Sequence, residues 1–300
     1  MEAPSRTLYR FCETECGTAA RRTTVGLDDP EAGSELQVDF GRMGLLPDPE
    51  TGRRRVCHAL VFTGALSRHM FVWLTFSQAL PAVIEGFEAA WAFFGGVFKV
   101  VIPDNCKAIV HRSDPVSPRL NEVPVEYAQA RGFLIDAARV RHPKDKARVE
   151  RSIGYVRRSF FAGEEFRDLE DARRRAERWC LTTAGLRIHG STCRRPAEVF
   201  RADEQQALQP APEHPYDLPH YAQPKVHRDF HIEVDRALYS VPAAFIGQRV
   251  KVRADRHLVR IYHHGVLIKT HPRKGPDGRS TDETDLPPEK AAYAPGTSTG

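Results

Sequence analysis

The chain has 300 residues and a formal net charge of only +5, and it is long enough for two modest domains of about 150 residues each. No stretch approaches the roughly 18 apolar residues of a membrane span, and the N-terminal residues lack the apolar core of a signal peptide. The sequence therefore predicts a soluble cytoplasmic protein rather than a membrane-spanning one.

The first elements are strands. ELQVDFG, which begins at Glu35, predicts the first strand, and the apolar segments RRVCHALVFTG and RHMFVWLTF predict two antiparallel neighbours. From residue 78 to 94 the apolar residues recur at three- and four-residue steps, which predicts a helix. VFKVVI is typical of a further short strand, residues 122–131 of a further helix, and GFLIDAA of another strand.

A strongly basic helix is predicted to open near Pro143. Residues 139–160 contain eight Lys and Arg but only two acids, so this segment carries +6 while the rest of the chain is about neutral. A concentrated positive stripe is typical of nucleic-acid-binding proteins, and the alternative is a solvated helix face.

The order of the elements favours an α/β fold, with a mixed sheet and helices on both of its faces. Five prolines and little periodicity indicate a linker at 201–227. Short alternating strands at 228–272 predict a small all-β barrel or sandwich. The tail, 273–300, is rich in Gly, Pro, Ser, Thr and charged residues, which predicts disorder.

The six cysteines are scattered along the chain, which does not favour a disulfide framework. Cys12 and Cys16 stand four residues apart, but no second Cys or His pair follows at zinc-finger spacing. We therefore expect free, mostly buried thiols rather than a zinc site.

One acidic residue lies inside a predicted strand, and a second follows the end of another. Asp39 lies inside a predicted strand between Val38 and Phe40, where an acid is costly if it is buried without a partner. The alternative for Asp39 is an edge strand that faces solvent. Asp104 directly follows VVIP, and sites of open α/β sheets lie at the carboxyl ends of strands. The alternative for Asp104 is the N-cap of a helix.

A third acid stands in the middle of the basic helix. Glu150 borders the apolar stripe of that helix, which is formed by Val149, Ile153, Val156 and Phe160. Its alternative role is an ion pair with Lys146, which contributes only ~0.2–0.5 kcal/mol in this orientation.

Carboxylates from a strand, from the end of a neighbouring strand and from a helix edge can converge on one point. Converged anions repel one another unless cations neutralise them, and hard oxygen ligands suit Mg²⁺ or Mn²⁺. Two such ions about 3.5–4 Å apart clamp the attacking and leaving oxygens of an in-line phosphoryl transfer. The sequence therefore predicts a two-metal site at Asp39, Asp104 and Glu150.

Four segments carry a resemblance to a known family. VDFG around Asp39, PDNCKAIV around Asp104, HPKDKARVERSIGYVRRSF around Glu150 and RIHGSTCRRPAEVF after them resemble motifs of the integrase/transposase superfamily. The nearest resemblance is to insertion-sequence transposases of the IstA type. It covers residues 35–200 strongly and the predicted small barrel more loosely.

The resemblance implies a ribonuclease H-like catalytic domain at 35–200, with Asp39, Asp104 and Glu150 as its metal-binding acids. It also implies cleavage of DNA at element ends and transfer of the 3′-hydroxyl into target DNA. The implied partners are DNA, further copies of the chain and an ATPase helper protein, in a nucleoid-associated location. Residues 1–34 resemble only the end of the family's N-terminal DNA-binding region, so we expect a truncated gene product or an alternative start, in which they are a remnant and a linker.

Candidate DNA contacts follow from charge and placement on the basic helix. They are Lys144, Lys146, Arg148, Arg151, Arg157 and Arg158, together with Asn105 and Lys107 beside the second acid. Two alternatives stay open, a DNA-binding remnant that no longer transposes and a ribonuclease H-like nuclease that hydrolyses without joining.

Overall fold

The computed structural model describes residues 30–104, 109–112, 119–120, 122–136 and 152–286. The chain divides into two compact units, the first from Met1–Asn121 and Gly132–Ala211 and the second from Glu122–Arg131 and Pro212–Gly300. Residues 122–131 fall inside the catalytic region predicted at 35–200, but the structure groups them with the second unit. Residue periodicity predicts a helix, but it does not tell which layer a short helix packs on.

The first unit is built on a five-stranded mixed sheet. Its described strands are β1 (Glu35–Asp48), β2 (Arg53–Gly64), β3 (Met70–Thr75), β4 (Gly96–Val97), β5 (Val100–Asp104), β6 (Val110–Arg112), β7 (Arg119–Leu120), β8 (Leu134–Ile135) and β9 (Gln209–Pro210). The main sheet has the order β3-β2-β1-β5-β8. Strands β1, β2 and β3 pair antiparallel, whereas β5 joins β1, and β8 joins β5, in parallel. This mixed α/β sheet confirms the predicted fold class.

Helices cover both faces of that sheet. They are α1 (Leu80–Phe94), α3 (residues 152–156, continued by a π-helical turn, Arg157–Phe161), α4 (Leu169–Trp179, continued by Cys180–Ala184) and α5 (Pro196–Val199, continued by Phe200–Glu204), while α2 (Glu122–Arg131) belongs to the second unit. Helix α1 packs on one face, where the rings of Phe87 and Phe62 lie 5.1 Å apart. On the other face Val156 and Phe160 of the α3 segment join the core around Ala59 and Val61.

A buried carboxylate supports the turn between β2 and β3. Glu204 has 0% exposure, and its Oε2 accepts a hydrogen bond from the backbone N–H of Ser67 at 3.2 Å. Burial raises the pKa of this carboxyl above its ordinary value, although the hydrogen bonds from Ser67 and its neighbours oppose the shift.

The second unit contains two β-sheets and α2. Its strands are β10 (His220–Ala222), β11 (His231–Val234), β12 (Ala237–Ser240), β13 (Lys251–Ala254), β14 (Leu258–His263), β15 (Val266–Pro272) and β16 (Arg279–Ser280). They form one sheet with the order β10-β13-β14-β15 and another with the order β11-β12-β16. The predicted all-β character is confirmed, but the described strands form two sheets around one apolar core rather than a single closed barrel.

The ordered chain continues beyond the predicted limit of the β-rich region. Strand β16 pairs with β12, and Asp285 is buried at 2% exposure. Its carboxylate accepts hydrogen bonds from Ser240 Oγ at 2.6 Å and from Lys269 Nζ at 2.8 Å. The prediction of disorder is therefore wrong for residues 273–286, because polar side chains that look solvent-exposed in the sequence form hydrogen bonds within the second unit.

Cys57 and Cys180 are free and buried, whereas Cys193 is free and exposed. Burial raises the pKa of the Cys57 thiol to about 12, so it stays protonated and unreactive. Cys12, Cys16 and Cys106 lie outside the described residues. None of the helices among the described residues has both the length and the apolar character needed to cross a bilayer.

Candidate active site

Asp39 lies in the interior of the sheet. Strand β1 has β2 on one side and β5 on the other, and Asp39 pairs with Val61 of β2. The residue is only 4% exposed, so the alternative of a solvent-facing edge strand is wrong. A carboxylate this deeply buried is stable only when hydrogen bonds or a cation compensate for its lost hydration.

The backbone brings the second acidic position next to the first. Asp104 is the last residue of β5, and in the parallel pairing of β1 with β5 it stands directly opposite Asp39. Adjacent strands lie about 4.8 Å apart, and paired positions of parallel strands lie on the same face of a sheet. A cation shared by Asp39 and Asp104 would relieve the mutual repulsion of two neighbouring carboxylates, and this arrangement stays a prediction.

The helix that follows the third acid lies directly on β1. A Cβ atom added to Gly41 would be 2.6 Å from Cγ2 of Ile153, and one added to Gly44 would be 2.6 Å from Cε1 of Phe161. Only the glycine hydrogens therefore separate this part of β1 from the α3 segment. Gly41 is two residues beyond Asp39 and lies on the same face of the strand.

Glu150 lies outside the described residues. Its role as a metal ligand stays a prediction.

The chemistry of these positions fits a hard divalent cation. Asp39 offers buried carboxylate oxygens, and the position of Asp104 faces it across the parallel pairing. Among the described side chains there is no cluster of three or more His, Cys, Asp or Glu that could bind a metal ion. The predicted set of three depends on Asp104 and Glu150, whose side chains lie outside that description.

Most of the candidate DNA contacts also lie outside the described residues, namely Lys144, Lys146, Arg148, Arg151, Asn105 and Lys107. Arg157 is exposed, and its Nη2 donates a hydrogen bond to the carbonyl oxygen of Arg42 at 2.6 Å, which ties the α3 segment to β1. Arg158 is exposed and lies beside Gly154, and within the part of the chain that the structure describes it forms no salt bridge. Contact of either arginine with DNA stays a prediction.

A group that was not predicted from the sequence lies on the opposite face of β1. The ring of His58 stacks on Phe40 at 5.4 Å, and its Nε2 lies 3.1 Å from Nε2 of Gln78. Burial, and then the charge of Arg42, lower the pKa of His58. An aromatic pair beside an exposed arginine suits stacking and phosphate contacts with nucleic acid. The alternation in VDFGR places Phe40 and Arg42 on one face, but the cross-strand partner could not be predicted from it.

Comparison with known proteins yields a family model and similar structures. Residues 211–282 match the model described as the Mu transposase, C-terminal domain. The HTLV-2 integrase catalytic core domain, solved in complex with magnesium, shares 14% identity and a TM-score of 0.37, covering 57% of this chain and 97% of that chain. A simian T-cell lymphotropic virus intasome shares 13% identity and a TM-score of 0.41, over 85% of this chain and 84% of that chain.

Sequence relatives are more informative. A Mycobacterium tuberculosis protein named "Putative transposase" is 40% identical over 276 residues, which is 92% of this chain and 67% of the relative. A Sinorhizobium fredii protein with a similar name is 30% identical over 95% of this chain and 56% of its own length. The transposase for insertion sequence element IS21 of Pseudomonas aeruginosa is 31% identical over 79% of this chain and 60% of its own length. The chain thus spans about half to two thirds of these relatives, and it belongs to the family of insertion-sequence transposases that includes the IS21 enzyme.

Proposed function

We propose that this chain carries the catalytic centre of a DNA transposase, which cleaves the ends of a mobile element and transfers its 3′-hydroxyl into target DNA. The observation that carries this proposal is the pairing of Asp39 with Asp104 on adjacent parallel strands, in a chain of the transposase family. The fold, the buried Asp39 and the helix beside it support the same assignment.

In this mechanism Asp39, Asp104 and Glu150 would hold Mg²⁺ or Mn²⁺, and the bound ion would supply charge stabilisation to the attacking and leaving oxygens of the phosphodiester. Asp39 lies on an interior strand of the sheet, where pairing with both neighbouring strands limits the movement of its backbone. The basic residues that flank Glu150 neutralise and position the DNA backbone, so that the scissile phosphate is presented to the acids.

The proposed partners are the element's ends, the target DNA, further copies of the chain and an ATPase helper protein, and the proposed location is the nucleoid. Family membership supports DNA and multimeric assembly as partners. The positive net charge of +5 agrees with a polyanionic substrate.

The test is nicking of supercoiled plasmid in the presence of Mn²⁺. We expect the wild-type chain to nick, and Asp39→Asn to abolish nicking while DNA affinity changes little. Glu50→Gln is a matched control, because Glu50 is an exposed carboxylate in the turn between β1 and β2. Normal nicking by Asp39→Asn would show that the assignment of this residue is wrong.

A second experiment separates transfer from hydrolysis. Labelled 3′-hydroxyl ends are supplied with an unlabelled plasmid, and joined products indicate strand transfer. Nicking without joining would favour a ribonuclease H-like nuclease. Salt-sensitive DNA binding with no chemistry would favour a DNA-binding protein that does not transpose.

A further inference from the structure

The hairpin of β1 and β2 extends beyond the rest of the main sheet of the first unit. Among the described residues, β5 pairs with residues 35–39 of β1 and no further, and β3 pairs with residues 58–63 of β2 and no further. The hairpin therefore continues as a two-stranded extension, in which residues 42–48 pair with residues 53–58. We call this extension the β-arm.

One face of the β-arm is packed against the α3 segment. Met43, Leu46 and Cys57 are buried in the same apolar cluster as Phe160. Asp48 is also buried, and its Oδ2 accepts a hydrogen bond from Nη1 of Arg55 at 3.0 Å. The charges of this carboxylate and this guanidinium therefore compensate each other.

The turn at the end of the β-arm is held by the same carboxylate. Asp48 accepts from the backbone N–H of Glu50 at 3.1 Å and from the hydroxyl of Thr51 at 3.1 Å. The backbone N–H of Gly52 donates to the carbonyl oxygen of Asp48 at 2.9 Å, and its φ of +66° is one that glycine adopts without strain. The two strands are thus fixed to each other at their outer end.

The opposite face of the β-arm carries three cross-strand pairs. A bulge at Met43 shifts the register by one residue, so the residues before and after it face the same side. The pairs are Arg42 opposite His58, Leu45 opposite Val56, and Pro47 opposite Arg54. Arg42 and Arg54 are exposed, and Leu45 is 44% exposed, so this face lies open to a partner.

The exposed charge of the β-arm is positive. Arg42, Arg53 and Arg54 are exposed, and within the ranges that the structure describes none of them forms a salt bridge. Nη2 of Arg54 donates to the carbonyl oxygen of Leu45 at 3.2 Å, which directs its guanidinium across the β-arm. Exposed guanidinium groups without carboxylate partners suit a polyanion, because they bind phosphate with two parallel hydrogen bonds.

The spacing of two of these arginines matches duplex DNA. Arg54 stands four residues along β2 from His58, which is opposite Arg42, and four residues of strand span about 13 Å. The major groove of B-DNA is about 12 Å wide, with a phosphate backbone on each side. Arg42 and Arg54 can therefore meet phosphates on the two sides of one groove, while the apolar pair of Leu45 and Val56 lies between them.

A helix N-terminus adjoins the base of the β-arm. Nε2 of Gln78 lies 3.1 Å from Nε2 of His58, and α1 begins two residues later at Leu80. No side chain caps this end of α1, and its first turn contains no acid. The partial positive charge of a helix N-terminus favours phosphate in the same way as the arginines do.

We propose that the exposed face of the β-arm binds the backbone of duplex DNA, with Arg42 and Arg54 on phosphates at the two sides of one major groove. Strand β1 separates this face from Asp39, so a stretch of duplex bound here is distinct from the stretch presented to the acids. The inference rests on the proposed function only for its role in transposition, because binding itself needs no chemistry.

The experiment measures the affinity of the full chain for a fluorescent random-sequence duplex without divalent metal, as salt is raised from about 50 to 200 mM. We expect Arg42→Gln and Arg54→Gln each to make the slope of log affinity against log salt about 0.9 less steep. The loss of affinity over this range then becomes about 3.5-fold smaller for each variant. The double variant should lose both contributions, and Arg42→Lys should keep the wild-type slope.

The matched control is Arg201→Gln, which removes the same single charge. Arg201 is exposed and lies near His69, beyond the end of β2 that is remote from the β-arm. Its slope should equal that of the wild type. A control that flattens the slope as much as Arg42→Gln would reduce the effect to net charge and overturn the inference.

Three other results would also overturn it. Wild-type slopes in both Arg42→Gln and Arg54→Gln would place the DNA elsewhere. Wild-type slopes together with a lower mass in sedimentation would assign this face to contact between copies of the chain. A double variant that loses no more than a single variant would exclude binding on two sides of a groove.

Nicking of supercoiled plasmid in Mn²⁺ separates this inference from the proposed function. If the wild type does not nick but both variants flatten the salt slope, the proposed function fails and the DNA surface of the β-arm stands. If the wild type nicks and both variants keep its slope, the proposed function stands and the inference fails.

Discussion

Gly41→Ala is the sharpest test of how the helix beside Asp39 is placed. The added methyl carbon would lie 2.6, 2.9 and 3.1 Å from Cγ2, Cδ1 and Cγ1 of Ile153, whereas carbon atoms prefer separations of about 3.5–4.0 Å. Strand β1 is held by hydrogen bonds to both neighbours, so the α3 segment is the part that must move, by about 1 Å. Overpacking of this kind costs about 1–3 kcal/mol.

That cost can be measured as a loss of thermal stability. For a unit of about 200 residues, 1 kcal/mol lowers Tm by about 2–4 °C, so we expect Gly41→Ala to melt roughly 2–12 °C below the wild type. The displaced segment begins just after Glu150, and a misplacement of about 1 Å at a catalytic group can lower a rate by about 10²-fold. Nicking of supercoiled plasmid in Mn²⁺ should therefore fall more than the stability loss alone explains.

Two further variants test whether the clash with Ile153 causes these effects. Gly190→Ala makes the same chemical change at a site with nothing within 4 Å of the new atom, and it should leave Tm and nicking unchanged. Ile153→Ala removes the clashing atoms, so Gly41→Ala combined with it should be more stable than the sum of the two single effects predicts. A Gly41→Ala protein with wild-type Tm and nicking would refute the contact and the helix placement derived from it.

Three further predictions concern other parts of the chain. Glu204→Gln should be more stable than the wild type at pH 7. Burial raises the pKa of Glu204 in the folded state above its ordinary 4.5, so the wild type loses stability as the pH rises past 4.5. In urea unfolding, the advantage of Glu204→Gln should therefore vanish at lower pH. Deletion of residues 273–300 should unfold the second unit by stripping away Asp285, whereas deletion of 287–300 should not, as circular dichroism can show. Arg158→Gln should make the slope of log DNA affinity against log salt about one unit less steep.

Local pattern was sufficient to predict the elements that position Asp39. Alternation in LQVDF gives a strand, and the three- and four-residue spacing of apolar residues gives α1 at almost its observed bounds. The stripe that includes Val156 and Phe160 also packs into the core as predicted. Each of these predictions uses the spacing of apolar residues within one element, because that spacing shows which side of the element faces the core.

Which distant segments pair with each other, and in which register, could not be predicted in the same way. No local feature of β1 and β5 shows that Asp39 stands opposite Asp104, because a shift of one residue would leave both strands equally apolar. The same limit explains the tail, where Asp285 looks exposed in sequence but is buried by bonds to Ser240 and Lys269. Carboxylate chemistry and the family resemblance both grouped the acids, but neither gave the register that pairs Asp39 with Asp104.

The placement of α2 reflects the small number of its buried residues. Helix α1 packs on the sheet through an apolar stripe, whereas within the described part of α2 the buried residues are Pro124, Tyr127 and Ala128. The docking of α2 therefore depends on directed polar bonds, and these exist only where Arg253 and Tyr221 present their donors together to Glu126. Charge-assisted bonds are selective in direction and distance, whereas apolar contact is not.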